Sequence, residues 1–223
     1  MASFYPIAGK RIFDIAASAI GLVLLSPLLA IVAVAVRLSS PGPAIFRQIR
    51  TGQYGRRFSI LKFRSMRSAS AEGGSLLTAA GDPRITPLGH WLRKTKIDEL
   101  PQLWNVLAGD MSLVGPRPEV PLYTSQYNPS QKRVLEVKPG ITSPQINFDE
   151  EALMASRSDK EEFYLAEILP AKLESDLAYC ENIRFLADVK ILFFTVSQLF
   201  LRPFGFLRSS RSAAGVTPSS PDA

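Results

Sequence analysis

The longest apolar stretch of the chain runs from Ile15 to Val36, interrupted only by Ser18, Gly21, Ser26 and Pro27. As a straight helix of about 22 residues it would extend about 33 Å, enough for the hydrocarbon core of a bilayer. Ser26-Pro27 falls at its middle, where proline removes a backbone donor and crowds the preceding turn. The Ser26 hydroxyl can satisfy the carbonyl freed in this way. Lys10 and Arg11 precede the stretch and Arg37 follows it, so the positive-inside bias draws both flanks to the cytoplasm. The pattern therefore predicts a re-entrant helix-turn-helix over 12–37, with the membrane break at Ser26 and Pro27. A single-pass anchor and a cleaved signal peptide ending at Ala33-Val34-Ala35 are the competing readings. The length of the run and its proline argue against the signal peptide.

Further along, Ala44–Gln48 and Phe58–Arg64 read as two short strands, with Gly52 and Gly55 turning the chain between them. This hairpin would lift Lys62 and Arg64 beside the membrane surface. Ser68–Gly81 is a loop of small residues, and Ile85–Arg93 reads as a helix with His90 on one side and Trp91 on another. Leu100, Leu103, Trp104 and Leu107 then recur at helical spacing, with Asp98 as the expected N-cap and Gly109 as the stop. Asn128–Arg133 and Glu151–Lys172 suggest polar surface helices. Phe185–Leu201 is strongly apolar with Arg184, Lys190 and Arg202 at its margins, which suits a helix lying in the headgroup plane. The fold expected is mostly α with a small β-hairpin: one membrane-associated domain over 1–207 and a disordered Ser-, Ala- and Pro-rich tail over 208–223.

Charge sharpens this picture. The net charge is +6, and Arg37–Ala71 contains eight basic residues and no acid. Such a block seeks phosphates, anionic lipid or nucleic acid. Nucleic acid is set aside, because a soluble binder has no use for so long an apolar run. A single cysteine, Cys180, excludes an intrachain disulfide, and a single histidine, His90, excludes a His-cluster metal site.

The chemistry concentrates at Asp98-Glu99. This acidic pair is framed by Arg93, Lys94, Lys96 and Arg117, and no other stretch brings a nucleophile, a metal-type ligand and phosphate-binding cations so close. A carboxylate attacking phosphorus meets repulsion unless cations cover the phosphates. Arginines supply forked donors to phosphate oxygens, and Mg2+ held by one carboxylate bridges others. Asp98 could then be the nucleophile and Glu99 the metal ligand; spacing alone leaves open which acid does which.

An ordered string of elements carries a family resemblance. It begins with Lys10-Arg11-Ile12-Phe13-Asp14 before the Ser26-Pro27-broken helix, followed by Ser40-Pro41-Gly42-Pro43-Ala44-Ile45-Phe46 and Phe58-Ser59-Ile60-Leu61-Lys62-Phe63-Arg64-Ser65-Met66. Asp98-Glu99-Leu100-Pro101-Gln102-Leu103-Trp104-Asn105 then leads to Gly109-Asp110-Met111-Ser112 and Gly115-Pro116-Arg117-Pro118. Lys138-Pro139-Gly140-Ile141-Thr142 and Asp188-Val189-Lys190-Ile191-Leu192 close it. In these elements the chain resembles the bacterial sugar transferases, monotopic phosphoglycosyl transferases acting on polyprenyl (undecaprenyl) phosphate, in a minimal catalytic form.

The resemblance implies a two-step reaction. Asp98 would attack the β-phosphorus of a UDP-sugar, release UMP and keep a covalent phosphosugar, which polyprenyl phosphate then takes, starting glycoconjugate or exopolysaccharide synthesis. It implies that Glu99 serves Mg2+, that Lys62 and Arg93 (with Arg64 as a further candidate) bind phosphates, and that Arg117 binds the nucleotide. It places the protein at the bacterial inner membrane with the site facing the cytoplasm. The chain departs from the family pattern after Thr142, where Ser143-Pro144-Gln145 replaces a Gly-Trp-Ala continuation, so no particular sugar follows. The alternative reading is a non-enzymatic basic adaptor bound to anionic lipid.

Overall fold

The structure is a computed structural model describing residues 5–67, 77–78, 81–144, 153–154 and 159–201. The expected tail over 208–223, most of the Ser68–Gly81 loop, Arg202 and much of Glu151–Asp159 lie outside the described residues. After a π-helical turn (Tyr5–Gly9), helix α1 occupies Lys10–Ser39. It is followed by β1 (Ile45–Thr51), β2 (Arg57–Phe63), α2 (Pro87–Lys94), α3 (Gln102–Ala108), β3 (Ser112–Val114), α4 (Pro121–Thr124) and β4 (Gly140–Thr142). Helix α5 (Lys160–Phe163) continues through the π-turn Tyr164–Ile168 into α6 (Leu169–Glu181), and α7 (Phe185–Leu201) ends the described chain.

Helix α1 is long and apolar enough to cross a membrane by length and composition. Ile20, Val23, Leu24, Ile31 and Leu38 stand bare on it. Proline at position 27 leaves the Val23 carbonyl without its helical donor, and the Ser26 hydroxyl donates to that carbonyl at 2.8 Å. With the carbonyl satisfied, the helix continues through Pro27, where the sequence had suggested a turn.

The buried side of α1 is polar at its base. The backbone N–H of Leu113 donates to Asp14 Oδ1 at 3.0 Å. Asp188 of α7 is fully buried and accepts from Tyr5, Lys10 and Tyr179. These bonds tie both ends of the described chain to one core, in line with the need of buried charge for partners. Arg11 donates to the carbonyls of Val106 (2.6 Å) and Leu107 (3.0 Å), satisfying the C-terminal end of α3. Further apolar side chains are exposed on α7, including Leu186 and Phe193.

Strands β1 and β2 pair antiparallel from Ile45↔Phe63 to Thr51↔Arg57, so the hairpin expectation holds with β1 extended to Thr51. Strands β3 and β4 form a parallel pair, Ser112↔Gly140 and Val114↔Thr142, which periodicity could not show because each has only three residues. Two glycines make this crossing possible: a Cβ on Gly140 would collide with the backbone of Gly115, and one on Gly115 with that of Lys138. Gly140 N–H also donates to Pro116 O at 2.9 Å, immediately before Arg117. Gly140→Ala should therefore push the Pro116-Arg117 segment aside and cost about 2–4 kcal/mol, as overpacking against fixed backbone does. A melting temperature within about 1 °C of wild type would contradict this close-approach account.

The expected helix at Asn128–Arg133 is displaced to a 3-10 segment, Gln131–Glu136. One core packs Tyr123, Tyr127, Tyr164, Ile168 and Leu173 around the α5–α6 helices. A second joins Phe58, Ile60, Val106, Met111, Leu113 and Tyr179 beneath the hairpin.

Candidate active site

Three elements meet at the acidic pair. Thr86 caps α2 by accepting from Gly89 N–H at 2.9 Å, with Pro87 in the first turn. After α2 the chain reverses through Lys96 and makes a 3-10 turn, Ile97–Glu99. Asp98 therefore does not cap a helix, as the sequence had suggested. Helix α3 starts only at Gln102 after Pro101, with no side-chain cap, and Gly109 ends it at φ 98° as expected. Leu100 lies before α3; within it Gln102, Asn105 and Val106 are buried, Leu103 and Leu107 are half-buried with Leu103 packed on the core beneath the hairpin, and Trp104 is 59% exposed.

Asn105 fixes α3 against β2. Its Oδ1 accepts from Leu61 N–H at 3.0 Å and its Nδ2 donates to Ser59 O at 2.9 Å. The side chain thus occupies the outer edge of β2 as a neighbouring strand would, and sets the next residue, Lys62, opposite the acidic turn. Nothing in a helical pattern signals this role; the only cue is an amide at a position that proves to be buried.

Asp98 and Glu99 are both buried, at 5% and 8% exposure, yet their surroundings differ. Lys62 Nζ and Arg117 Nη2 each donate to Glu99 Oε1 at 2.7 Å. Burial alone would raise the Glu99 pKa, but Arg117, Lys62 and Lys96 hold it well below the usual carboxylate range. Asp98 Oδ1 is buried with no hydrogen-bond partner. Burial first, and the negative charge of Glu99 second, push Asp98 up to about 6, against Lys62, Lys96 and Arg93. Lys62 is itself lowered by burial, opposed by Glu99. Two neighbouring acids driven apart in this way are suited to different tasks.

Of the residues singled out from sequence, Lys62, Asp98, Glu99 and Arg117 are thus brought together by direct bonds or adjacency. Arg93 lies close enough for its charge to act on Asp98 and donates to Ser65 Oγ at 3.4 Å. Arg64 is placed elsewhere. Its guanidinium is buried and donates to Ser40 O (2.6 Å), Pro41 O (2.8 Å) and Val36 O (3.3 Å) at the end of α1. Strand β2 stops at Phe63, so the two-residue alternation that would align Arg64 with Lys62 ends one residue too early. His90 is exposed on α2.

Among the described residues no group of three or more His, Cys, Asp or Glu could hold a metal. Two adjacent carboxylates, one with an unpartnered buried oxygen, nonetheless fit Mg2+, which takes one or two protein carboxylates and completes its shell with water and substrate phosphate.

Two buried carboxylates on one turn thus meet cations from three other segments, in a chain whose long apolar helix has the length and composition to cross a membrane. The chain matches the bacterial sugar transferase family over residues 5–202 and belongs to that family. It is 40% identical over 196 residues to the UDP-glucose:undecaprenyl-phosphate glucose-1-phosphate transferase of Escherichia coli strain K12, covering 86% of this chain and 40% of that protein. It is 37% identical over 193 residues to the protein of the same name from Caulobacter vibrioides, covering 85% of this chain and 69% of that one. The UDP-N-acetylgalactosamine-undecaprenyl-phosphate N-acetylgalactosaminephosphotransferase of Aeromonas hydrophila is 38% identical over 196 residues, covering 88% of this chain and 44% of the relative. Against the first and third of these the matched region is less than half of the relative's length.

Proposed function

We propose that this chain transfers a sugar 1-phosphate from a UDP-sugar to polyprenyl (undecaprenyl) phosphate through a covalent intermediate on Asp98. The observation that carries the reading is the unpartnered, buried Asp98 Oδ1 beside a carboxylate clamped by Lys62 and Arg117. The names of the relatives supply the substrate classes.

In the first step an Asp98 oxygen bonds to the β-phosphorus, the bond from that phosphorus to the bridging oxygen breaks, and UMP leaves with that oxygen. In the second, a phosphate oxygen of the lipid attacks the same phosphorus and returns the Asp98 carboxylate, giving polyprenyl-diphosphate-sugar. Charge balances in both steps without a proton, so Asp98 needs only to be ionised and no general base is required. Lys62, Arg93 and Arg117 offset the negative charge of the incoming phosphates. Glu99 keeps Lys62 and Arg117 in place beforehand. Glu99, beside the attacking carboxylate, would hold Mg2+, which when bound would neutralise phosphate charge. Incubating the protein with a panel of UDP-sugars and Mg2+, without lipid, tests the reading. UMP release with a matching mass added at Asp98 is expected, and an adduct on another residue would overturn the assignment.

For the membrane, α1 is read as entering and leaving the cytoplasmic face of the bacterial inner membrane, with the exposed apolar side of α7 lying in the interface. Basic residues at both ends of α1 support this; because the helix runs unbroken through Pro27, the reading requires it to bend there in the membrane. In a Cys180→Ser background, single cysteines at Ala8 and Leu38 should both resist an impermeant thiol reagent outside intact cells. Labelling of only one of them would mean a crossing helix.

A further inference from the structure

We infer that the Lys96 ammonium is a phosphate-binding group of this site, delivered there by a left-handed backbone. The inference rests on the transferase reading above and adds a residue to it.

Lys96 has φ 57° and ψ 12°, a region that a side chain bearing a Cβ rarely occupies and that glycine or asparagine tolerates far better. The conformation is held on both sides. Lys96 N–H donates to Arg93 O at 3.2 Å, and Lys96 O accepts from Glu99 N–H at 3.1 Å. The reversal between α2 and the acidic turn therefore needs a left-handed residue at this position, and the chain puts lysine there. Strained backbone of this kind persists where the surrounding structure over-determines it, and it concentrates at functional sites.

The other cations of the site have protein partners. Lys62 and Arg117 donate to Glu99 Oε1, and Arg93 donates to Ser65. Lys96 is exposed and makes no hydrogen bond or ion pair with the described residues through its side chain. Its charge nevertheless acts on both Asp98 and Glu99. It is thus an exposed, uncommitted ammonium on the residue two before Asp98, whose buried Oδ1 has no partner. A compact, mobile point charge suits a phosphate that must arrive, react and leave, more than it suits a fixed forked clamp. Two phosphates visit this place: the diphosphate of the donor and the monophosphate of the lipid acceptor. Both present the same chemistry to Lys96.

Lys96→Gly and Lys96→Asn in the full chain separate charge from conformation. Both residues accept the left-handed backbone, so both variants should melt at or above the wild-type temperature. Both should nonetheless lose ~10-fold or more in one half-reaction, as expected for one charge-assisted phosphate contact. A fall in UMP release with donor alone assigns Lys96 to the diphosphate. A fall confined to transfer onto polyprenyl phosphate assigns it to the acceptor. Lys96→Arg, which keeps the charge, should retain most of the activity and of its salt sensitivity. The inference is overturned if both half-reactions of the Gly and Asn variants stay within about twofold of wild type. It is equally overturned if the Arg variant loses as much as the Gly variant, or if the Gly and Asn variants fail to fold. A wild-type protein that releases no UMP from any UDP-sugar removes the transferase reading itself, and this inference with it.

Discussion

Asp98→Asn is expected to abolish UMP release, by at least ~10³-fold, while melting at a higher temperature than wild type at pH 7.5. On the proposed mechanism the loss follows from removing the attacking oxygen's charge, since an amide is not a nucleophile toward phosphorus. The gain in stability follows from linkage. Asp98 has its folded pKa raised from 3.8 to about 6, chiefly by burial, so its stabilising contribution is fully present below its unfolded pKa. That contribution is lost as pH rises through about 6, when a buried carboxylate must ionise. Asparagine has nothing to ionise. The stability gap between variant and wild type should therefore be widest above pH 6 and close below about pH 4. In the wild-type enzyme, UMP release should fall on acidification as Asp98 takes up a proton. An Asn variant less stable than wild type at pH 7.5, or one that turns over at the wild-type rate, would refute the account of this residue.

Glu99→Ala is expected to act in the opposite direction on stability. Glu99 Oε1 receives both Lys62 and Arg117 at 2.7 Å, and its removal leaves the ammonium of Lys62 without that partner in surroundings that already lower its pKa. Breaking a buried pair by deleting one partner costs about 3–5 kcal/mol, and the Arg117 end is more than a third exposed, so about 2–4 kcal/mol is expected. For a chain of this size that is a fall of about 5–12 °C in melting temperature. Because the folded pKa of Glu99 is depressed, its contribution is present above the unfolded value and disappears as pH falls through the folded one. The difference between Glu99→Ala and wild type should shrink on acidification below about pH 4. Adding Lys62→Met to Glu99→Ala should recover part of the loss by removing the stranded charge, a non-additivity a double-mutant cycle measures. Additive losses would mean that the two side chains are not coupled. Activity should fall in the single variant as well, because Lys62 and Arg117 lose the group that positions them.

The sequence already made much of this legible, for identifiable reasons. The hairpin could be read because the strands were long enough for their apolar content and their bounding glycines to register. Helices α1 and α7 could be read because apolar runs of that length have few alternatives. Adjacency of Asp98 and Glu99 was visible because covalent neighbours cannot be separated. The N-cap expectation for Asp98 failed because a 3-10 turn and Pro101 intervene before α3, and cap patterns do not distinguish a helix start from a turn that leads to one. The parallel β3–β4 pair was illegible because its signal is a backbone close approach between Gly115 and Gly140, far apart in sequence and apolar in neither case.

By itself the amino-acid sequence determined which chemical groups exist and which are neighbours along the chain: an apolar helix with basic ends, a cation-rich hairpin, two carboxylates side by side. Only the tertiary structure decided how those groups are divided. It sent Lys62 and Arg117 to Glu99, left an oxygen of Asp98 unpartnered, and turned Arg64 away to carbonyls at and just beyond the end of α1. Pairing between distant segments depends on where strands stop and how closely backbones cross. Both are set by packing, and local residue patterns do not encode them.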